Sequence, residues 1–347
     1  MIRKNILIAV LLFLTLSLYA AGDGKYVVAF YNVENFFDIY DDPNVIDEEF
    51  TPDGPKEWTQ AKYDKKLANI SRVLYGIAAA NKDYPAVIGL SEVENRRVLD
   101  DLVSTERLAQ AGYQIVHYDS PEARGVDVAL LYRPDVFSLE WSDVFQPEIP
   151  ERPDFRTRDI LAVCGTIDGE RFCFFVNHWS SRYGGAKASE YLRVGCASTL
   201  RKYADSLMAS DPDLKIVIMG DMNDDPYNRS LAEVIGAKRE VGDVEPGGYF
   251  NPYWNVLKAG YGTLGYQDAW NLFDNIIVNS NLLEGGSGVL RIQEAEDSGF
   301  YGRIFKRSYM IQQKGKYRNY PLRSYSGNSF LGGYSDHLPV YIVIANQ

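Results

Sequence analysis

Short apolar runs recur along this chain, and most of them end or begin on a polar residue capable of chemistry. Runs at residues 26–31, 86–90, 126–132, 160–167, 172–176, 215–219, 275–278 and 338–344 have the length and the β-branched and aromatic content of buried strands. Two helical patterns lie between them. Residues 59–80 repeat Leu67, Ile70, Leu74 and Ile77 at helical spacing, and residues 186–209 carry a stripe of Leu192, Cys196, Leu200, Tyr203 and Leu207. Strands mostly in hairpins, with helices interspersed, predict two packed sheets with helices outside: an α/β (α+β) layered sandwich. Polar residues placed at strand ends are how a rigid scaffold presents a site.

The first residues depart from this pattern. Arg3 and Lys4 precede an apolar stretch at 6–18 and the small residues Ala20, Ala21 and Gly22, which reads as a secretory signal peptide over 1–22, too short and wrongly flanked for a membrane span. The expectation is a secreted or periplasmic protein with no membrane span once cleaved. No linker, repeat or low-complexity run divides residues 23–347, so they are read as one domain.

Charge changes the picture in two places. The formal charge is −11, or −13 without Arg3 and Lys4, so the field of the whole molecule does not favour non-specific binding to nucleic acid or anionic membrane. Residues 38–55 hold only acids among their charges, a run whose spacing does not match an EF-hand loop and which is read as solvated. Residues 302–335 hold Arg303, Lys306, Arg307, Lys314, Lys316, Arg318 and Arg323 with no acid. That basic island ends one residue before Asp336 and supplies a local positive field in an acidic protein.

Three cysteines are too few for a disulfide scaffold. Asp168-Gly169 is a strong two-residue hairpin signal, and pairing outward from it sets Cys164 directly opposite Cys173 as a close, non-hydrogen-bonded pair suited to a cross-strand bridge. Cys196 lies on the helical stripe and is read as core.

The polar clusters at the strand ends are Tyr31-Asn32-Val33-Glu34-Asn35, Leu90-Ser91-Glu92-Val93-Glu94-Asn95, Val176-Asn177-His178-Trp179, Met219-Gly220-Asp221-Met222-Asn223, Leu272-Phe273-Asp274-Asn275 and Ser335-Asp336-His337-Leu338. Glu92 is a hard oxygen ligand suited to Mg2+ or Mn2+. Asn32 and Glu34, two apart, reach for the same cation, and Asp221 and Asn223 point to one side. Two of the three histidines fall inside these clusters.

In this order the clusters resemble the endonuclease/exonuclease/phosphatase superfamily of metal-dependent phosphoesterases, across residues 31–337. The resemblance implies a four-layer α/β sandwich, two packed mixed β-sheets flanked by helices, with the site at one edge. It implies Glu92 as the ligand of a Mg2+ (or Mn2+) ion, with Asn32, Glu34 and Asp336 around it. Asp221 then orients or deprotonates the attacking water, Asn223 contacts phosphate, and Asp274 partners His337. A histidine at position 178 resembles the nuclease, sphingomyelinase and inositol-phosphatase branches, both imidazoles donating to phosphate oxygens or the leaving group. Arg124 is the candidate phosphate-facing cation, with Arg158 and Arg193 weaker ones. His117 matches no motif and is read as structural.

The activity expected is hydrolysis of phosphodiesters, foremost by an endonuclease, with inositol-phosphate phosphatase or sphingomyelinase-like phospholipase as the alternative. A catalytically silent binding protein is disfavoured because Glu92, His178, Asp221, Asn223, Asp274 and His337 are all present. The expected partner is a phosphoester substrate, nucleic acid among them, with no stable protein partner implied. The aromatic stretch 249–254, with Tyr261, Tyr266 and Trp270, suits either base stacking or core packing.

Overall fold

Each apolar run becomes a strand, and the strands run on into their polar motifs. The computed structural model describes residues 24–347; the expected signal peptide at 1–22 lies outside the described residues. The first sheet has seven strands. Its path is β14 (Leu290–Ile292), β18 (Val340–Asn346), β1 (Lys25–Phe36), β2 (Val87–Val93), β4 (Asp127–Tyr132) and β3 (Gln114–His117), with β15 (Arg303–Ile304) also on β18. The second, also of seven, runs β5 (Phe137–Phe145), β6 (Ile160–Ile167), β7 (Glu170–His178), β8 (Lys215–Asp221), β13 (Asp274–Asn279), β10 (Tyr249–Phe250) and β9 (Ala237–Lys238). Small hairpins are made by β11 (Leu264–Tyr266) with β12 (Ala269–Asn271), and by β16 (Tyr325–Ser326) with β17 (Ser329–Phe330).

Alternation along the strands builds the layers. Tyr26, Val28 and Phe30 of β1 enter a core shared with Phe172, Phe174 and Val176 of β7, whereas Val27, Ala29 and Tyr31 face a second core with Ile70, Leu74 and Ile77 of helix α1 (Gln60–Asn81). On the far side Phe175, Ile216 and Ile218 pack against Cys196 and Leu200 of helix α3 (Glu190–Ser210). Helix α2 (Arg96–Val103) joins α1 on the first face, and α4 (Trp254–Lys258) adds one buried valine to the shared core. Each fully buried aliphatic side chain contributes about 1.5–3 kcal/mol by leaving water.

In each sheet one parallel pair is joined by a long helix, β1–α1–β2 and β7–α3–β8. Parallel strands end on the same side, so both pairs deliver their C-terminal residues to one edge. The antiparallel neighbours β18 and β13 begin at that edge. Gly220 permits the approach of β7 to β8, since a Cβ there would meet the Asn177 carbonyl at 2.4 Å.

The hairpin turn expected at Asp168-Gly169 is present: both residues have positive φ, 50° and 78°, as such a turn requires. Cys164 pairs with and is bonded to Cys173 across a 4.1 Å Cα separation. Cys196 is buried. The acidic run is a surface loop except at Asp38 and Asp47, which are 4% and 2% exposed; Arg97 and Asn95 donate to Asp38 at 2.9 and 3.1 Å. Tyr249, Phe250 and Tyr253 are buried, which decides that stretch for core packing, while Tyr261 and Tyr266 stay exposed.

Candidate functional site

The shared edge gathers Asn32 from β1, Glu92 from β2, His178 from β7, Asp221 from β8, Asp274 from β13 and His337 just before β18. The Asn32 amide links the two sheets, its Nδ2 donating to Glu92 Oε1 at 3.1 Å and to Asp221 Oδ2 at 3.0 Å. Asn35 N–H donates to the other Glu92 oxygen at 2.8 Å. Glu34, Asn35, Glu92 and Asn223 all have left-handed φ, between 49° and 62°. At Glu92 this coincides with breaks in register on both sides of β2, where the strand bulges and re-aims its carboxylate. Strained non-glycine residues gathered at one edge are the mark of an imposed arrangement.

A histidine–carboxylate pair joins the two sheets, Asp274 from β13 and His337 from the segment that enters β18. His337 Nδ1 lies 2.7 Å from Asp274 Oδ2, and its Nε2 is 3.7 Å from Asp221 Oδ2. Ser335 ties this loop to β1, donating to the Asn32 carbonyl at 2.7 Å and accepting His337 N–H at 3.0 Å. His178 Nε2 is 3.9 Å from Glu92 Oε1 and 3.8 Å from Asp221 Oδ2. Asn223 N–H caps Asp221 Oδ1 at 2.9 Å, while its side-chain amide donates to the Trp179 carbonyl at 2.9 Å.

The two imidazoles are pushed apart in proton affinity. Burial lowers His178 well below its ordinary value, and Arg158, Arg124 and His337 add to the shift. Burial acts in the same direction on His337, but Asp274 and Asp221 outweigh it and hold it well above. Burial and charge thus favour a neutral His178 and a cationic His337 near pH 7, and each still has a ring N–H to donate. Burial raises Asp221 to about 6 against the His337 charge, with Asp274 adding to the rise. Opposed shifts among neighbouring groups mark acid and base roles.

The other residues that the sequence suggested stand around this centre. Glu34 sits in a buried network: Ser324 N–H donates to it at 2.6 Å, and Lys66 and Arg323 lie 3.7 and 3.5 Å away. Asp336 is ion-paired to Arg323, with His337 Nε2 at 4.0 Å. Arg124 is bound by Glu122 at 3.0 Å and feels the Glu92 charge, while Arg158 donates to the carbonyls of His178 and Trp179 at 3.1 and 2.7 Å. Arg193 lies beneath, 2.8 Å from Asp224. Sequence reasoning passed over Asn35, Lys66, Arg323 and Ser335 as site residues. Ser335 had the clearest signal, its place beside Asp336 and His337 at a strand end.

The donor set suits a hard divalent cation. Glu92 is more open than Asp221 and Asp274, its side chain 16% exposed against 3% and 0%. Asp221, Asp274 and His337 also place ligand-type atoms within 4.8 Å of one another. Asp274 Oδ1 and His178 Nδ1 are buried without a hydrogen-bond partner. Buried polar atoms left unpaired cost stability unless something uses them.

Residues 27–346 match the sequence profile of the endonuclease/exonuclease/phosphatase family. The fold is similar to D. rerio TDP2 complexed with single-strand DNA product (14% identity, TM-score 0.54, 93% of this chain and 100% of that one). It is also similar to a Bacteroides thetaiotaomicron mannosyl-6-phosphatase (16%, 0.55, 92% and 99%) and to the human Nocturnin catalytic domain with bound sulfate (14%, 0.53, 93% and 95%). No curated protein matches the chain.

Proposed function

Because the chain belongs to the endonuclease/exonuclease/phosphatase family, whose members are hydrolases acting on phosphoester bonds, we propose that it is an exported phosphodiesterase of the nuclease kind. The observation that carries this reading is the Asn32 amide, which holds Glu92 and Asp221 side by side. Glu92, with Asn32 beside it, would hold a Mg2+ or Mn2+ ion, whose chemistry is to draw charge from a non-bridging phosphate oxygen. Glu34 and Asp336 serve this centre from behind, held by Lys66 and Arg323.

Asp221, ionised at neutral pH, orients the attacking water and takes its proton. His337, held cationic by Asp274, donates to the oxygen on which charge develops. His178 is neutral and faces two carboxylates through Nε2, so the proton sits on Nε2 and is offered to the phosphate. Asn223 donates a hydrogen bond to the remaining oxygens and Arg124 neutralises their charge. Supplying fixed donors where charge appears is the largest part of such catalysis. Export rests on the composition of residues 1–22, and among the described residues no helix is long and apolar enough to cross a membrane.

For the substrate, Lys314, Lys316 and Arg318 are exposed on a loop whose Tyr320 packs on Trp270 at 6.1 Å. That places fixed positive charge over the hairpin β11–β12, whose Leu264 bridges to His337. An extended polyanion fits this field. A second reading, a phosphatase acting on an inositol or sugar phosphate, is prompted by the likeness of fold to the mannosyl-6-phosphatase; the groove of about 970 Å3 beside the same hairpin holds none of the clustered residues and does not bear on it. The deciding experiment is turnover of the purified protein with Mg2+ or Mn2+ on DNA, RNA, phospholipid and inositol phosphates across a salt series. Nucleic acid cleavage with steep salt dependence is expected. Activity confined to inositol phosphates, or a flat salt response, gives the second reading.

A further inference from the structure

The hairpin of β3 and β4 brings three ligand-type side chains together outside the catalytic cluster. The strands pair with Gln114 opposite Tyr132 and His117 opposite Ala129. β3 ends at His117, and Asp119 follows two residues on, in the loop that leads to Asp127 at the start of β4. Asp119 and Asp127 bring two carboxylates to one imidazole, and like charges so close repel unless a cation lies between them. His117 Nε2 lies 3.1 Å from Asp127 Oδ2, and the other Asp127 oxygen accepts Ser120 N–H at 2.9 Å. His117 Nδ1 faces Asp119 Oδ1 at 3.9 Å, and the three residues offer ligand atoms within 4.8 Å of one another. The side chains of His117 and Asp127 are each 4% exposed and that of Asp119 is 91% exposed. The cluster is thus anchored inside and open to solvent on one side.

When Nε2–H is donated to Asp127, the lone pair on Nδ1 points toward a carboxylate oxygen, leaving two acceptors face to face with no proton between them. A carboxylate fixing one ring nitrogen while the other nitrogen binds is the usual surrounding of a metal-ligating histidine. We propose that His117 and Asp119, with Asp127 behind the ring, form a second cation site, separate from the Glu92–Asp221 cluster, that takes a divalent transition metal such as Zn2+ with water completing its shell. The imidazole nitrogen selects against Mg2+ and Ca2+, which favour oxygen alone.

The site sits at the root of loop 118–126, which carries Glu122 and Arg124. Glu122 binds Arg124 at 3.0 Å and lies 3.7 Å from Arg158, which in turn holds the carbonyls of His178 and Trp179. A bound cation therefore steadies the arm that presents Arg124. This consequence rests on the phosphate-facing role proposed for Arg124; the site itself does not.

Zn2+ binding to the full chain, measured by equilibrium dialysis in excess Mg2+ to fill the oxygen-rich catalytic cluster, tests the proposal. The wild type should bind an equivalent of Zn2+. Asp119→Asn, at an exposed position, and His117→Gln should each weaken binding about tenfold or more, while Glu92→Gln should bind as the wild type does; circular-dichroism melts establish that each variant is folded. Unchanged binding in a folded Asp119→Asn overturns the site. So does loss of Zn2+ in Glu92→Gln alone, which assigns the ion to the catalytic cluster. An absence of Zn2+ binding by the wild type overturns it too. Retained Zn2+ binding in a protein inactive on every phosphoester would sink the functional reading and leave this one standing.

Discussion

The units β1–α1–β2 and β7–α3–β8 are one device used twice, yet the helices brace their strand ends differently. Lys66 on α1 is 1% exposed, 3.7 Å from Glu34, and donates to Ser324 Oγ and the Tyr334 carbonyl at 2.6 and 2.9 Å. Arg193 on α3 is also 1% exposed, 2.8 Å from Asp224, and donates to Ser189 Oγ at 3.0 Å and the Ala186 carbonyl at 2.7 Å. Burial lowers Lys66 against the pull of Glu34 and lifts Glu34 to about 7, helped by the Asp336 charge. A guanidinium gives up no proton at these depths and spreads its donors over a fork. The first unit, beside the proposed cation, is thus built of groups that can change charge, and the second, under Asp221, of a permanent one.

The largest test of this division is catalytic. Glu92→Gln removes the cation's carboxylate from the first unit and His337→Ala removes the imidazolium beside the second, and each should lower turnover by about 10²-fold or more, some 2.7 kcal/mol of transition-state stabilisation. Near wild-type turnover in either variant breaks the mechanism.

Next in size are the braces. Arg193→Met should cost about 3 kcal/mol in urea unfolding, because it removes the nearer of two guanidiniums from buried Asp224 and leaves only Arg182, at 3.2 Å. Lys66→Met should cost less, about 1–3 kcal/mol, because Glu34 can take up a proton in place of the lost ammonium. The sign follows from Glu34, whose folded value is raised: its ionisation burdens the fold as pH rises through about 7, so the cost of Lys66→Met should grow between about pH 6 and pH 8. A pH-independent cost there would show the two braces to be equivalent.

The pH–rate profile comes third. Asp221 is raised to about 6 and must be ionised to act, so kcat/KM should fall about tenfold per pH unit below that value. The alkaline limb should lie well above the ordinary histidine range, because Asp274 and Asp221 keep His337 protonated. Loss of activity on passing upward through ordinary imidazole values would show that Asp274 and Asp221 do not hold His337 protonated.

The smallest effect concerns charge outside both units. Neutralising Lys314, Lys316 and Arg318 should leave the metal requirement unchanged and reduce the salt slope of substrate binding by about one for every phosphate that no longer meets a cation. An unchanged slope would take this loop out of the substrate's path.

Much of the scaffold was legible in the hydrophobic pattern because buried strands and amphipathic helices carry periods of their own. The pattern failed at β5, whose residues are mostly exposed or half-exposed at the sheet's edge and so show no apolar run. It also stopped each strand short of its motif, since Asn32, His178 and Asp221 continue ladders in polar residues. In the site, the sequence marked Asn32, Glu92, His178, Asp221, Asp274 and His337, and the structure gathers them at one edge. It did not mark Lys66, whose hydrogen-bond acceptor Ser324 lies 258 residues further along the chain.

The sequence by itself determined which groups of the right chemistry stand at the ends of rigid strands, and in what order, because period, turn chemistry and residue type are local properties. It determined the Cys164–Cys173 opposition for the same reason, the whole pairing being counted from a two-residue turn. Only the tertiary structure decided that His178 is neutral and His337 cationic, that Glu34 belongs to Lys66 and Arg323, and that one amide on Asn32 spans both sheets. Those outcomes depend on burial and on charges up to some three hundred positions apart, as in the Ser335 bond to the Asn32 carbonyl with a separation of 303. No period in a sequence encodes such a distance; the packing of two sheets creates it.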